Sequence, residues 1–275
     1  MHTPVSLAHR SIVSVTGADA EAFLNNIVTV STIGIQQGEF RYGALLTPQG
    51  KIIADMLLTC TDGAILIDCA ASASAALVKR LSLMRLRAAV AIEERPDLAV
   101  VAFEGAADPR AVSAPHRRIA PRDAAPAGDA SAYHAARIAS GLAEQGADFG
   151  AEEVFPADIN MDIDGGVDFK KGCFVGQEVV SRMKRRGTAR RRTLKVGVAV
   201  GTPAPSPILA NGFEIGMLTS ISGGAGLARV RIDRLAEAQA RGETITANGA
   251  AVTFDAPAWL ADELAAMAEA KEAKA

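Results

Sequence analysis

The sequence predicts a protein of mixed helices and strands, divided into two or three compact units and ending in a small β-barrel or sandwich. Three observations predict this. The chain has 275 residues, more than a single hydrophobic core usually organises. Its first half alternates short apolar runs with helical stripes. After Arg192 it breaks into the short runs TLKVGVAV, FEIGMLTSI, GLARVRI and ETITANGAAVTF, with tight-turn signals at Asn211-Gly212 and Asn248-Gly249. With 49% hydrophobic and 22% charged residues and a net charge of −2, the composition is that of an ordinary globular protein. No run approaches the roughly 18 apolar residues of a membrane span. Met1 to Arg10 lacks a secretory layout, so the expected setting is the cytoplasm, with no membrane partner.

SIVSVTGADAEAFLNNIVTV reads as a strand followed by a helix, with Thr16 as its cap and Phe23, Leu24 and Ile27 as its apolar face. In FRYGALLTPQGKIIADMLL, Pro48-Gln49-Gly50 divides two strands. Asp62-Gly63 predicts a two-residue hairpin whose register sets Cys60 opposite Ile65 and Cys69 opposite Met56. The two cysteines therefore do not face each other, and both read as small buried hydrophobes. Ser74 to Arg87 carries a helical stripe of Leu77, Leu81 and Met84; AAVAIEE and LAVVAFEG read as strands. From Gly105 to Ala130 prolines among Ala, Gly and Arg mark a long, mobile surface connection. A helix resumes at Ser131 and stops at Gly141; the tail from Ala258 reads as a terminal helix with an apolar stripe at Leu260, Leu264 and Met267.

The densest stretch is KKGCFVGQEVVSRMKRRG, residues 170–187. Val179, Val180 and Met183 fit one face of a helix from about Gln177 to Arg186, stopped by Gly187. Cys173 then precedes a helix N-terminus, beside Lys170 and Lys171. Orphan amides, the helix dipole and the two ammonium groups all favour the thiolate, the nucleophilic and metal-binding form. A buried, inert cysteine in a glycine-punctuated loop is the alternative. None of the four histidines is close in sequence, so nothing supplies the base of a cysteine protease. Between Lys170 and Lys195 ten basic residues face the single acid Glu178, a charge of +9 that leaves −11 for the rest of the chain. Such asymmetry points to an anionic partner or to a solvated basic face. No aromatic interleaves the basic run, so nucleic acid is not the expected partner.

Lys171-Gly172-Cys173-Phe174-Val175-Gly176-Gln177-Glu178 resembles the K-G-C-[FY]-x-G-Q-E signature of the YgfZ-type folate-binding proteins, relatives of the aminomethyltransferase (T protein) of the glycine cleavage system. Pro156, Asn160, Gly166, Val167 and Phe169 upstream, and Arg182 and Gly187 downstream, fall at the family's spacing. FLNNIVTVSTI, YGALLTPQGKIIADMLL, LSLMRLRAAVAI and FEIGMLTSISGGAGLARVRI extend a weaker similarity over most of the chain.

The resemblance implies an α+β architecture, two interwoven α+β units and a C-terminal antiparallel β-barrel around a central cavity. The corresponding division is residues 1–50 with 131–187, carrying the motif; 51–110; a flexible connection over 111–130; a barrel over 188–257; and a terminal helix and tail over 258–275. It also implies tetrahydrofolate or a derivative in the cavity, and a role in maturing iron–sulfur enzymes, including one that modifies tRNA. Cys173 is then the functional thiol. With too few ligands to hold a cluster alone, it would share a transient iron–sulfur cluster with a partner from iron–sulfur assembly, and no intrinsic metal site is expected.

Lys171 is the expected electrostatic partner of the thiol or of an anionic ligand group, and Gly172 and Gly176 give backbone freedom. Gln177 and Glu178 orient the loop or touch the ligand, with Asn160 also counted among the folate-binding residues. Arg182 meets the folate's glutamate tail. A helix-start network that only shapes the loop is the alternative for Gln177, Glu178 and Arg182. The transferases carry an Asn-Ala-x-Asn-x-x-Lys-Asp pattern whose final Asp contacts the reacting folate nitrogen. Here IDCAASASAAL aligns Asp68 with the Asn and Ala75 with that Asp, and alanine cannot accept a proton. An aminomethyltransferase-like one-carbon enzyme, with Asp55 or Asp68 as its carboxylate, is the second hypothesis. RNA binding through residues 182–195 is the third.

Overall fold

The computed structural model describes residues 2–187 and 189–272. In chain order, β1 (Val5–Ser6) and β2 (Arg10–Thr16) are followed by the short helix α1 (Ala20–Asn25). Thr16 does not cap α1; it ends β2, opposite Ala64 and Ala91. Gly17, at φ +109, makes the turn, and a Cβ there would meet the Ala89 carbonyl oxygen at 2.1 Å. Asp19 accepts a 2.7 Å hydrogen bond from the Ala89 N–H, tying α1 to a distant loop.

β3 (Phe40–Leu46), β4 (Ile52–Thr61) and β5 (Ala64–Ala70) form a meander, α2 (Ala71–Met84) follows without a gap, and β6 (Ala91–Glu94) pairs with β2. The resulting antiparallel sheet has the order β3-β4-β5-β2-β6. Asp62 and Gly63 both take positive φ, and the hairpin holds the expected register, Cys60 opposite Ile65 and Cys69 opposite Met56.

Strands β3 and β4 are apolar on both faces, for a physical reason. Leu45, Ile53, Met56 and Leu58 point into the core under α1 and α2. Tyr42, Ala44, Leu46 and Leu57 point the other way, against Met161, Phe174 and Val180 of the motif segment. One sheet thus spans the boundary expected at residue 50, which lies in the turn between β3 and β4.

β7 (Leu98–Ala106) pairs with β1 and with β8 (Arg117–Pro121) in a second, three-stranded sheet. The connection expected over 111–130 therefore contains a strand, and Arg117 within it is among the most buried side chains. Helices α3 (Ser131–Ala139) and α4 (Gln177–Arg185) flank the long segment that leads to the motif.

The C-terminal region comprises β9 (Arg191–Gly197), β10 (Ser206–Ala210), β11 (Phe213–Ser222), β12 (Ala225–Arg231), α5 (Ile232–Ala240), β13 (Ile245–Ala247), β14 (Ala250–Ala251), β15 (Thr253–Phe254) and α6 (Ala258–Glu272). The sheet order is β14-β13-β10-β11-β12-β9-β15. β14 and β15 lie on either side of Val252, so one short segment pairs with β13 at one edge and β9 at the other, and the sheet curls into a barrel. Asn211-Gly212 and Asn248-Gly249 have the positive φ of tight hairpin turns. Leu260, Leu264 and Met267 of α6 pack on the barrel core, as their stripe predicts. Residues 273–275 of the expected tail lie outside the described residues.

Candidate functional site

The motif loop is anchored at its ends and leaves its thiol free. Phe174 is buried against β3 and β4, while Gly172 and Cys173 are exposed. Asp168 accepts hydrogen bonds from the N–H groups of Lys170 (2.8 Å) and Lys171 (3.1 Å) and donates its own N–H to Thr29. The Lys171 ammonium donates to the carbonyls of Asn25, of Val28 (2.6 Å) and of Val30 (3.2 Å). Lys171 thus fastens the loop to the backbone that leaves α1. Burial lowers its pKa to about 8, against the pull of Asp168.

Gly176 starts α4 with φ +80, and a Cβ there would lie 2.6 Å from the Thr47 carbonyl oxygen. A Cβ on Gly50 would touch Val179 at 3.2 Å. Two stretches more than a hundred residues apart, LLTPQGKI and KGCFVGQE, therefore meet through two glycines.

Gln177 is half-buried at the start of α4. Glu178 and Arg182 pair with each other one helical turn apart on the exposed face, as a helix-start network does. Asn160 is buried at positive φ and donates to the Thr193 carbonyl (2.7 Å), linking the motif segment to β9. The basic run is divided in use. Arg192 is buried, bound to Asp162 and to Glu263 of α6, and Lys195 pairs with Asp255. Lys170, Arg185, Arg186, Arg190 and Arg191 remain exposed.

Away from the motif, a cavity of about 760 Å³ opens between the five-stranded and three-stranded sheets. Phe40, Leu66 and Ile119 give it apolar walls; Arg95, Arg117 and Arg118 give it positive charge. Cys60 lies on its wall and is only partly buried, packed against the core but not enclosed by it as expected. Cys69 is buried, and burial pushes its thiol up to about 12.

Behind this cavity lies a buried ionic cluster. Asp68 accepts from Arg10 Nε and from Arg117 Nη1, both at 2.6 Å. Arg117 also donates to Asp108 (2.9 Å), which holds Arg110, while the Arg117 Nε–H finds no acceptor. Glu144 is met by Arg10 (3.2 Å) and by the Tyr133 hydroxyl (3.0 Å). Burial opposes the charge on Glu144, but Arg10, His9 and Arg137 outweigh it and hold its carboxyl well below the usual range. Asp55 is the exception: burial raises it to about 6 despite Arg10 and Arg110. Sequence reading had singled out only Asp55 and Asp68 here. The signal was present in Arg10, Asp55 and Asp68 as charges inside apolar strand runs, since such residues are buried only when paired.

Comparison with known proteins follows the same division. The GCVT N-terminal domain matches residues 5–114, and the C-terminal beta-barrel domain of CAF17 matches residues 190–262. The mouse iron-sulfur cluster assembly factor IBA57, mitochondrial, is 30% identical over 275 aligned positions, covering 82% of this chain and 76% of the mouse protein. The chain belongs to the IBA57 family. The IBA57 homolog of Pyricularia oryzae is also 30% identical, over 69% of this chain, which spans only 56% of the fungal protein. The glycine cleavage system aminomethyltransferase T from Bartonella henselae shares the fold, with a TM-score of 0.74 over 94% of this chain and 85% of its own, at 15% identity.

These IBA57 relatives are mitochondrial, as is the human one, and this overturns the cytoplasmic expectation. The absence of a secretory layout had excluded only one route and carries no information about organelles. No described helix is long and apolar enough to cross a membrane.

Proposed function

We propose that this chain is a folate-binding accessory protein for the assembly of iron–sulfur proteins, of the YgfZ type, with Cys173 as its functional thiol. The observation that carries the reading is the exposed Cys173 on a loop whose two neighbouring anchors, Lys171 and Phe174, are fixed. A cysteine held this way is presented to a partner, whereas Cys69 is walled in by the core. A cluster would reach Cys173 as cargo, shared with other thiolates, because one thiolate cannot complete a cluster's coordination. An iron–sulfur enzyme that modifies tRNA is one client of this kind.

The cavity between the two sheets fits tetrahydrofolate. Its volume of about 760 Å³ lies in the usual range for small-molecule pockets. Apolar walls suit the ring system, and Arg95 and Arg118 suit the glutamate carboxylates. The unpartnered, buried Arg117 Nε–H is a donor that a ligand acceptor would satisfy. Bound folate supplies a carrier for one-carbon units; the chain's residues supply its binding and orientation. Aminomethyl transfer finds no support, since α2 carries no carboxylate in its first turn and Asp68 is taken up by two arginines.

The test pairs a binding measurement with a cellular one. Anaerobic titration with tetrahydrofolate is expected to give the same affinity for wild type and Cys173→Ala. In cells lacking the protein, wild type is expected to restore iron–sulfur enzyme activity and Cys173→Ala to fail. Full restoration by the variant would remove the thiol role, and no binding to either protein would remove the folate role.

A further inference from the structure

The end of α2 carries a surface that neither the core nor the motif loop uses. On the inward face, Leu77 and Leu81 are fully buried in the core. Leu83 and Leu86 are not: 65% and 87% of their surface is exposed. Leu86 follows Arg85, the C-cap of α2, at φ +46. That left-handed position after a helix is usually glycine, because a Cβ there is strained. A bulky apolar side chain held against its backbone preference and turned into water points to a contact outside the fold.

The charge around these leucines is of one sign. Between Asp68 and Glu93 the chain has no acidic residue, while Lys79, Arg80, Arg85 and Arg87 are basic. Lys79, Arg85 and Arg87 are exposed, and Arg80 is half-buried. Among the described residues no carboxylate pairs with any of the four; Arg85 donates to the Val90 carbonyl at 3.5 Å. A helix C-terminus favours cations, but it gives no reason for exposed leucines. Beside them an open cavity of about 350 Å³ runs over Phe23, Ile27 and Met84, with Arg85, Leu86 and Arg87 on its rim. The acid on its wall, Asp19, is engaged by the Ala89 N–H. Leucines set among unpaired cations complement anionic headgroups above an acyl layer. Both leucines protrude, and the cations have no fixed partner geometry, which suits a fluid surface rather than a rigid one.

We propose that the end of α2 docks this protein peripherally on an anionic lipid surface. Leu83 and Leu86 enter the acyl layer, and Lys79, Arg80, Arg85 and Arg87 meet the phosphates. Such a contact lies in the interface and needs no spanning helix. It uses neither Cys173 nor the cavity between the two sheets, so it does not rest on the function proposed above.

The whole purified protein is cosedimented with vesicles of phosphatidylglycerol and phosphatidylcholine in equal parts. Saturable binding is expected, weakening as salt rises, with little binding to phosphatidylcholine alone. Arg87→Gln should lower the affinity about fivefold. Leu86→Asn should lower it roughly tenfold. In urea denaturation Leu86→Asn should be at least as stable as wild type, since asparagine tolerates the left-handed backbone. Lost binding with retained stability is a result that a purely structural leucine would not give. The proposal is overturned by absent binding to the anionic vesicles, which would leave the patch to an acidic protein, or by equal binding to phosphatidylcholine alone. Wild-type affinity or lowered stability in Leu86→Asn also overturns it. So does a loss in Arg185→Gln but not in Arg87→Gln, which would move the contact to α4.

Discussion

In the motif loop eight consecutive residues carry a recognisable pattern, and the thiol among them stands free in solvent. In the ionic cluster no two partners are recognisable together. Arg10, Asp68, Arg117, Tyr133, Arg137, Glu144 and Asp148 come from β2, β5, β8, α3 and the loop beyond it, and nearly every polar atom among them is engaged. One region is dense in sequence and open in space; the other is scattered in sequence and closed in space. The difference tells which substitutions damage the fold and which damage only the function. A thiol without contacts can be removed at little cost, whereas a charge locked among other charges cannot.

The largest effect is expected at Arg117. Arg117→Met leaves both Asp68 and Asp108 with a buried partner missing, and the loss should be about 3–5 kcal/mol by urea denaturation. Cys173→Ala, in the same measurement, should stay within about 0.5 kcal/mol of wild type. Comparable losses in the two variants would erase the contrast.

Asp55 gives the next largest effect and a sign. Its pKa rises from 3.8 to about 6 on folding, so between these values the folded state binds more protons than the unfolded one. The protonated group contributes stability that is complete below about pH 3.8 and lost as the pH rises past about 6. Asp55→Asn should therefore be more stable than wild type at pH 7.5, by at most about 3 kcal/mol from a shift of roughly two pK units, and should flatten the dependence across that window. A variant less stable than wild type at pH 7.5 would mean that the Asp55 charge is needed by its arginine neighbours.

Gly176→Ala sharpens the comparison from the motif side. The left-handed backbone and the approach of the Thr47 carbonyl should together cost about 1–3 kcal/mol. The rate of Cys173 alkylation by iodoacetamide should change with it. Unaltered stability and an unaltered rate would show that the loop relaxes freely around the added methyl.

What was legible in the sequence follows local chemistry. Asp62-Gly63, Asn211-Gly212 and Asn248-Gly249 announce their turns because positive φ is a property of two adjacent residues. The helix from Gln177 and its glycine stop at Gly187 were readable for the same reason, and so were the register of Cys60 and Cys69 and the barrel. Arg117 was not. It sits in a proline-rich stretch that looks like a loop, and only pairing with Ala102 and Ala106 of β7 makes it a strand. Glu144 lies in GLAEQGADFG, whose loop-like composition gives no hint of partners at residues 9, 10 and 137. Lys171 was recognised from its motif, but its cradle of carbonyls belongs to backbone around residues 25–30, which a side-chain pattern does not reveal. Cys60 shows the limit of register. Pairing fixed which residue it opposes, while the second sheet decides what lies beyond it.

The barrel's closure has a consequence for synthesis. β9 needs β12 on one side and β15 on the other, and the Thr253 that pairs with Gly197 comes long after it in the chain. Until β15 is made, that side of β9 is a bare edge with unpaired backbone groups, open to pairing with another chain.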